Sequence, residues 1–258
     1  EGPMTMRKAL AKSKNMVSIR ILQAIGPTYA QQWVTRFGFD ADKHPAYLTM
    51  ALGAGSVTPL QMATAYSVFA NGGYLVNPVL ISKITDDNDH VLSETKLLPP
   101  TEPERRVDAR NVFIMNSLLQ EVTRSGTAAS AKVKLQRGDI YGKTGTTNDS
   151  MDAWFAGFQP GLAAVVWIGY DTPRKLGDRE TGGGLALPVW IDFMRVALKG
   201  VPVEEELPVP EGVVNRDGEW YFDEFAGDAG VSSVGLDDKV PEPPTEEEKK
   251  SILDIFRR

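Results

Sequence analysis

Ala153 to Phe158 and Leu162 to Gly169 are two short, almost wholly apolar runs separated only by Gln159-Pro160-Gly161. Pro and Gly at that position are a turn signal, so the runs read as two strands of a hairpin. Each is far shorter than the roughly 18–20 residues a membrane helix needs. Strands without alternating apolar and polar positions have no face to give to water. Such a pair belongs in a core covered on both sides, and this requirement limits the fold more than any other feature.

The remaining sequence supplies the cover. Leu10, Met16, Val17, Ile19, Ile21, Leu22 and Ile25 recur at roughly helical spacing within residues 4–37. Gly26-Pro27 breaks that pattern, and Trp33, Val34 and Phe37 mark a further helix. Thr58-Pro59-Leu60-Gln61 predicts a helix start: Thr caps, Pro suits the first position, and Gln closes a capping box. Gly72-Gly73 ends that helix, and residues 79–96 read as a hairpin turning at Asp86-Asp87-Asn88-Asp89. An amphipathic helix runs over 108–124 and stops at Ser125-Gly126. Asp139 to Gly145 is a short strand, Gly182-Gly183-Gly184 a flexible connection, and Leu187 to Leu198 a closing helix with Pro188 in its first turn. The fold class is α/β, with helices packed on an antiparallel sheet.

Composition narrows the chemistry. The 258 residues include no Cys and only His44 and His90, which excludes a disulfide scaffold, a thiol nucleophile and a Cys- or His-rich metal centre. No metal and no cofactor are expected. Glu1-Gly2-Pro3 leads straight into a helical pattern, with no signal peptide, and reads as a cut inside a larger protein. Residues 1–200 hold 22 Lys/Arg and 18 Asp/Glu, whereas 201–258 hold 6 and 16. The chain therefore divides into a body, 1–200, and an acidic Pro/Glu-rich extension, 201–258, that composition separates from the body. Within the extension, Val213–Phe225 predicts a hairpin at Asp217-Gly218, and Pro241 to Lys250 a disordered linker. A pI of about 5.1 argues against nucleic acid as a partner.

Two local patterns carry chemistry. In Gly142-Lys143-Thr144-Gly145-Thr146-Thr147-Asn148-Asp149, a strand ends in a cation followed by small and hydroxyl residues. Lys143 supplies positive charge, Thr144 and Thr146 can bond a carboxylate, and Gly145 admits close backbone approach. The bland alternative is a Thr-rich turn. Ser13-Lys14-Asn15 falls at the junction of the first two helices, where a pair of helix caps is the bland alternative. Trp154, Phe155, Trp167 and Trp190 read as core, and Asp149 and Asp152 either orient the loop after the strand or are solvated.

Ser-x-Asn followed about 130 residues later by Lys-Thr-Gly resembles two of the three motifs shared by penicillin-binding proteins and β-lactamases. Met6 to Gly26, Ala51-Leu52-Gly53 to Gly72-Gly73, and Lys143 to Asn148 followed by Asp152-Ala153-Trp154-Phe155-Ala156-Gly157-Phe158 all resemble class A, bifunctional penicillin-binding proteins. The resemblance covers about residues 4–198. It implies a β-lactamase/DD-transpeptidase-like fold, incomplete here on its N-terminal side. It also implies an enzyme that cross-links peptidoglycan stem peptides through an acyl-serine and is acylated by β-lactam antibiotics. By position, Ser13 would join a proton relay, Asn15 would hold the acyl-side amide of the substrate and contact the lysine of the nucleophile motif, and Lys143 would attract and poise. Thr144 and Thr146 would bind the terminal carboxylate beside Gly145, with the Thr146 N–H as half of an oxyanion hole.

The third motif, Ser-x-x-Lys upstream of Ser13, is missing. Ser93-Glu94-Thr95-Lys96 matches its letters but sits in a charged hairpin, after Ser13 instead of before it. The family's glycosyltransferase domain is missing too. The resemblance therefore implies the carboxy-terminal part of a transpeptidase domain without its nucleophile, inactive alone. It would work at the periplasmic face of the inner membrane, tethered by an anchor upstream, with other cell-wall synthesis proteins as further partners. Two rivals share the fold: a non-catalytic β-lactam sensor, and a β-lactamase, for which no deacylating Glu-x-x-x-Asn precedes Lys143.

Overall fold

The computed structural model describes residues 2–96, 99–204 and 207–227; the linker expected at 241–250 lies outside the described residues. The expected hairpin forms β4, Ala153–Gln159, and β5, Leu162–Ile168. β3, Tyr141–Thr146, pairs antiparallel with β4, giving the order β3-β4-β5. Register follows the side chains: Tyr141 lies opposite Phe158, Thr144 opposite Phe155, and Phe155 opposite Val166. Successive residues of a strand point to opposite faces. Phe155 and Val166 therefore face one way, and Tyr141, Phe158 and Ala163 the other.

Both faces are covered, as the apolar runs require. On the first, Trp190, Ile191 and Met194 of α7, Leu187–Ala197, pack on Phe155, together with Ala131 of α6, Ala129–Leu135. The Trp190 ring meets Phe155 edge-on at 4.9 Å, and its Nε1 donates to the Ala164 carbonyl at 3.0 Å. On the second, Tyr66, Phe69 and Ala70 of α4, Pro59–Ala70, and Met115 and Leu119 of α5, Ala109–Arg124, close over stacked Tyr141 and Phe158. Of the residues read as core, Phe155 and Trp190 are fully buried, whereas Trp154 and Trp167 are only half-buried, tilted against each other with ring centroids 6.0 Å apart.

Local signals work where they are self-contained. Thr58 and Gln61 close the capping box reciprocally, with Pro59 as the first helical residue. Asp108 caps α5. The first three helices are α1, Met6–Ala11, α2, Asn15–Ile25, and α3, Pro27–Trp33. The predicted charged hairpin forms β1, Lys83–Thr85, and β2, Val91–Glu94, with every residue exposed. Two readings change. α6 lacks apolar periodicity and a side-chain cap, so the sequence carries no signal for it. Gly182–Ala186 is not a flexible connection but a π-helical turn, with Gly182 buried.

The described part of the extension lies on the body. β6, Val213–Arg216, and β7, Glu219–Phe222, form the expected hairpin at Asp217-Gly218 and pack on α5. Before it, Arg137 donates to the carbonyls of Val201 and Pro202 at 2.6 and 2.7 Å. The same guanidinium grips Asp139 bidentately at 2.9 and 2.6 Å, and Asp139 also accepts from Gln159 and the Glu204 backbone. Burial alone would raise the Asp139 pKa, but Arg137 and these donors outweigh it and hold it below the usual carboxylate range.

Removing one partner of such a buried pair strands the other charge. Asp139→Ala should cost about 3–5 kcal/mol, read as a lower denaturant midpoint. Because the folded-state pKa is depressed, this contribution is present above the unfolded pKa and is lost as pH falls through the folded value. A midpoint unchanged by the substitution would contradict this account.

Candidate active site

α1 ends at Ala11 with Lys12 as its C-cap, and the next residue, Ser13, has φ +51°. The Ser13 N–H donates to Leu10 O at 3.0 Å and the Lys14 N–H to Ala9 O at 2.9 Å. This paired pattern is a Schellman cap, whose left-handed position glycine usually fills. A side chain there costs about 1–2 kcal/mol, so Ser13 occupies a place that local folding energetics assign to another residue. Neither expected helix cap is made here: α2 starts without a side-chain cap, and the Ser13 hydroxyl is engaged elsewhere.

That engagement is with Lys143, whose Nζ donates to Ser13 Oγ at 2.8 Å across 130 positions of sequence. The strand explains the meeting. Lys143 follows Tyr141 by two and shares its face, the one covered by α4, α5 and Leu10 of α1. The amine also donates to the Thr144 carbonyl at 2.9 Å. Burial beneath the helices lowers its pKa from the usual lysine value to about 8, since an ammonium loses hydration there. Asn15 opens α2 two residues beyond Ser13, exposed and outside the Lys143 contacts.

Thr144 and Thr146 point to the opposite face. Thr144 Oγ1 lies 2.7 Å from Thr127 Oγ1. Thr146 Oγ1 accepts from the Gly182 N–H at 3.0 Å, and a Cβ at Gly182 would collide with the carbonyls of Gly145 and Trp154. Gly182 thus does for the backbone what was expected of Gly145, whose own Cβ would sit 3.2 Å from that of Trp154. Beyond the strand, Thr147 Oγ1 receives the Asp152 N–H at 2.7 Å, and Trp167 Nε1 donates to Asp152 Oδ1 at 2.8 Å. Asp152 therefore orients the loop. Asp149 is in a left-handed conformation and faces Lys175 at 3.6 Å.

Thr127 belongs to the candidate site by its contacts, and sequence reasoning missed it. Its hydroxyl reaches Thr144, while its N–H donates to Ala11 O at 3.0 Å in the last turn of α1. A Cβ at Gly126 would strike that same carbonyl, so the Gly-Thr pair lets the segment after α5 pin α1 to the sheet edge. The only signal in the sequence was the helix stop at Ser125-Gly126. Ser93, by contrast, stands exposed on β2 in a separate sheet and joins none of these contacts. Among the described residues no cluster of His, Asp or Glu could hold a metal ion.

The family described as the penicillin-binding protein transpeptidase domain matches residues 1–194. The chain belongs to that family. Penicillin-binding protein 1A of Neisseria lactamica is 50% identical over 224 residues, covering 86% of this chain and 28% of that protein. The chain thus spans well under half the length of this relative. The 2.6 Å crystal structure of penicillin-binding protein 1A from Haemophilus influenzae superposes with a TM-score of 0.77 at 35% identity, covering 83% of this chain and 37% of the other. PonA1 from Mycobacterium tuberculosis, solved with penicillin V, shares the fold at a TM-score of 0.65 and 23% identity, covering 81% of this chain and 63% of its own. The expected family and α/β fold are both confirmed.

Two measurements test the geometry. Ser13→Gly removes left-handed strain at the cap and should leave stability unchanged or raise it by up to about 1 kcal/mol, whereas Ser13→Ala should not; a clear loss with glycine would show that no strain is stored there. The Lys143 amine should titrate near 8 by NMR. Its burial as an ammonium costs stability below that pH, and the cost fades as pH rises toward the ordinary lysine value. A midpoint at the ordinary value would mean the amine is solvated.

Proposed function

We propose that this chain is the carboxy-terminal part of a serine DD-transpeptidase that cross-links peptidoglycan stem peptides. The observation that carries the reading is the Lys143–Ser13 hydrogen bond. It joins the Ser-x-Asn and Lys-Thr-Gly motifs in the order the family uses, beside a row of hydroxyls on one strand end. Ser13 and Lys143 form a proton relay, for which an amine held near neutrality is suited. Thr144 and Thr146 receive the terminal carboxylate, the Thr146 N–H contributes to the oxyanion hole, and Asn15 holds the acyl-side amide. An attacking serine outside this sequence forms an ester with the penultimate D-Ala as the peptide C–N bond breaks. The serine's proton passes through the relay to the departing amine, and an acceptor amine then takes the acyl group. β-Lactams enter the same cycle, their amide opening onto the serine.

The nucleophile is the part this sequence does not supply. Its one Ser-x-x-Lys, at Ser93, is on the wrong element. The site described here recognises and relays, and a parent protein adds the nucleophile, a glycosyltransferase domain and a membrane anchor at the periplasmic face of the inner membrane. Among the described residues no helix is long and apolar enough to cross a membrane.

Intact-mass analysis with benzylpenicillin tests this directly. The 258-residue chain alone should gain no adduct, because losing a nucleophile from a coupled catalytic unit costs several orders of magnitude in rate. The protein that also carries an upstream Ser-x-x-Lys segment should gain one equivalent. A stoichiometric adduct on the chain alone, mapped to Ser13 or Ser93, would overturn the assignment.

A further inference from the structure

We propose that the carboxy-terminal hairpin β6–β7 positions Ser13, acting through the ion pair between Glu219 and Arg7 of α1; this rests on the transpeptidase reading above. The hairpin lies beyond residue 194, where the family match ends.

α1 is six residues long, too short to be stable by itself, so its contacts fix its place. Its C-terminal end is pinned by the Thr127 N–H. Its first turn is held by Arg7, where three elements meet. Arg7 Nε donates to Glu219 Oε2 on β7 at 2.9 Å, and Nη1 donates to the Ser117 carbonyl and hydroxyl on α5 at 2.8 and 3.0 Å. The pair is mostly removed from water, with side chains 16% and 25% exposed, so its attraction is screened less than that of a surface pair. Without Glu219, the hydrogen-bond acceptors that Arg7 keeps among the described residues are the neutral Ser117 carbonyl and hydroxyl, with the Glu121 carboxylate one turn further along α5 near enough to feel its charge.

The hairpin presents Glu219 from a fixed base. Trp220 meets Phe113 of α5 edge-on at 4.9 Å, the Arg110 guanidinium lies 4.1 Å over the Phe222 ring, and Arg110 also pairs with Glu224 at 2.8 Å. None of these involves α1. The hairpin is thus anchored to α5 independently and braces α1 against it.

Ser13 sits six residues beyond Arg7, about 9 Å along a helix axis. Its left-handed conformation depends on the carbonyls of Ala9 and Leu10 in the intervening turns. Loosening the first turn of α1 frees those acceptors and lets Ser13 leave Lys143. Arg7 and Glu219 are therefore positioning residues, and the acidic extension contributes to the site that its composition seemed to exclude it from.

The test uses the protein that carries this chain together with its Ser-x-x-Lys segment, with fluorescent penicillin as probe. Glu219→Ala should slow acylation about fivefold, a size typical of coupling through packed contacts. Glu219→Gln, which keeps an acceptor for Arg7 without the charge, should recover part of that loss. The alkaline limb of the pH profile, set near 8 by Lys143, should move upward in Glu219→Ala as the amine gains water. Amide exchange at Leu10, Ala11 and Ser13 should accelerate more than exchange in β4. If acylation rate, limb and α1 exchange all stay unchanged, or if exchange rises by the same factor in α1 and β4 with the limb unmoved, the brace is refuted. If the unsubstituted protein forms no adduct at all, the transpeptidase reading fails instead, and exchange in α1 alone decides whether the brace exists.

Discussion

Phe155 and Phe158 lie three residues apart on one strand, so they face opposite sides of the sheet, and both are fully buried. The helices on either side are arranged to cover them. Trp190 and its helix close one side, Tyr66, Phe69 and α5 the other. Once helices must stand on both faces, the edge strand β3 is the place where their loops converge. The alternation of side chains then delivers Lys143 to one face and Thr144 with Thr146 to the other. The site is a by-product of two-sided burial, used at the strand's open end.

The chemistry at that end runs against local stability in two places. Ser13 takes the left-handed position of a helix cap, and Lys143 keeps its amine beneath helices that deprive it of water. Each group is held where it would not settle alone, because the surroundings over-determine it: Ser13 by two backbone bonds, Lys143 by the strand register. Strain observed at a residue that also makes a long-range polar contact is a sound pointer to function.

How far the sequence spoke depended on the range of each interaction. The Thr58–Gln61 box, the helix start at Asp108 and the turns at Gln159-Pro160-Gly161 and Asp217-Gly218 involve neighbours, and all were legible. The association of Ser13 with Lys143 came from the resemblance, since no periodicity links positions 130 apart. Thr127, Gly182 and the Arg7–Glu219 pair stayed hidden because their roles are defined by partners 17 to 212 residues away. Composition was silent on them as well: an acidic, proline-rich stretch is what a solvated tail looks like, and Trp220 and Phe222 gave too few apolar positions to suggest docking.

β3 is fixed very unequally along its length. At its root, the residues just before Tyr141 are gripped by the buried Arg137–Asp139 pair, and Tyr141 is sealed in the core. Toward Thr146 burial falls away steadily to an exposed end. Mechanically this is a beam built into its wall at the root and clipped at the tip, where Thr146 lies opposite Ala153 and its hydroxyl accepts from the Gly182 N–H. The register that aims Lys143, Thr144 and Thr146 is thus set at the sealed root and kept by the clip at the exposed end.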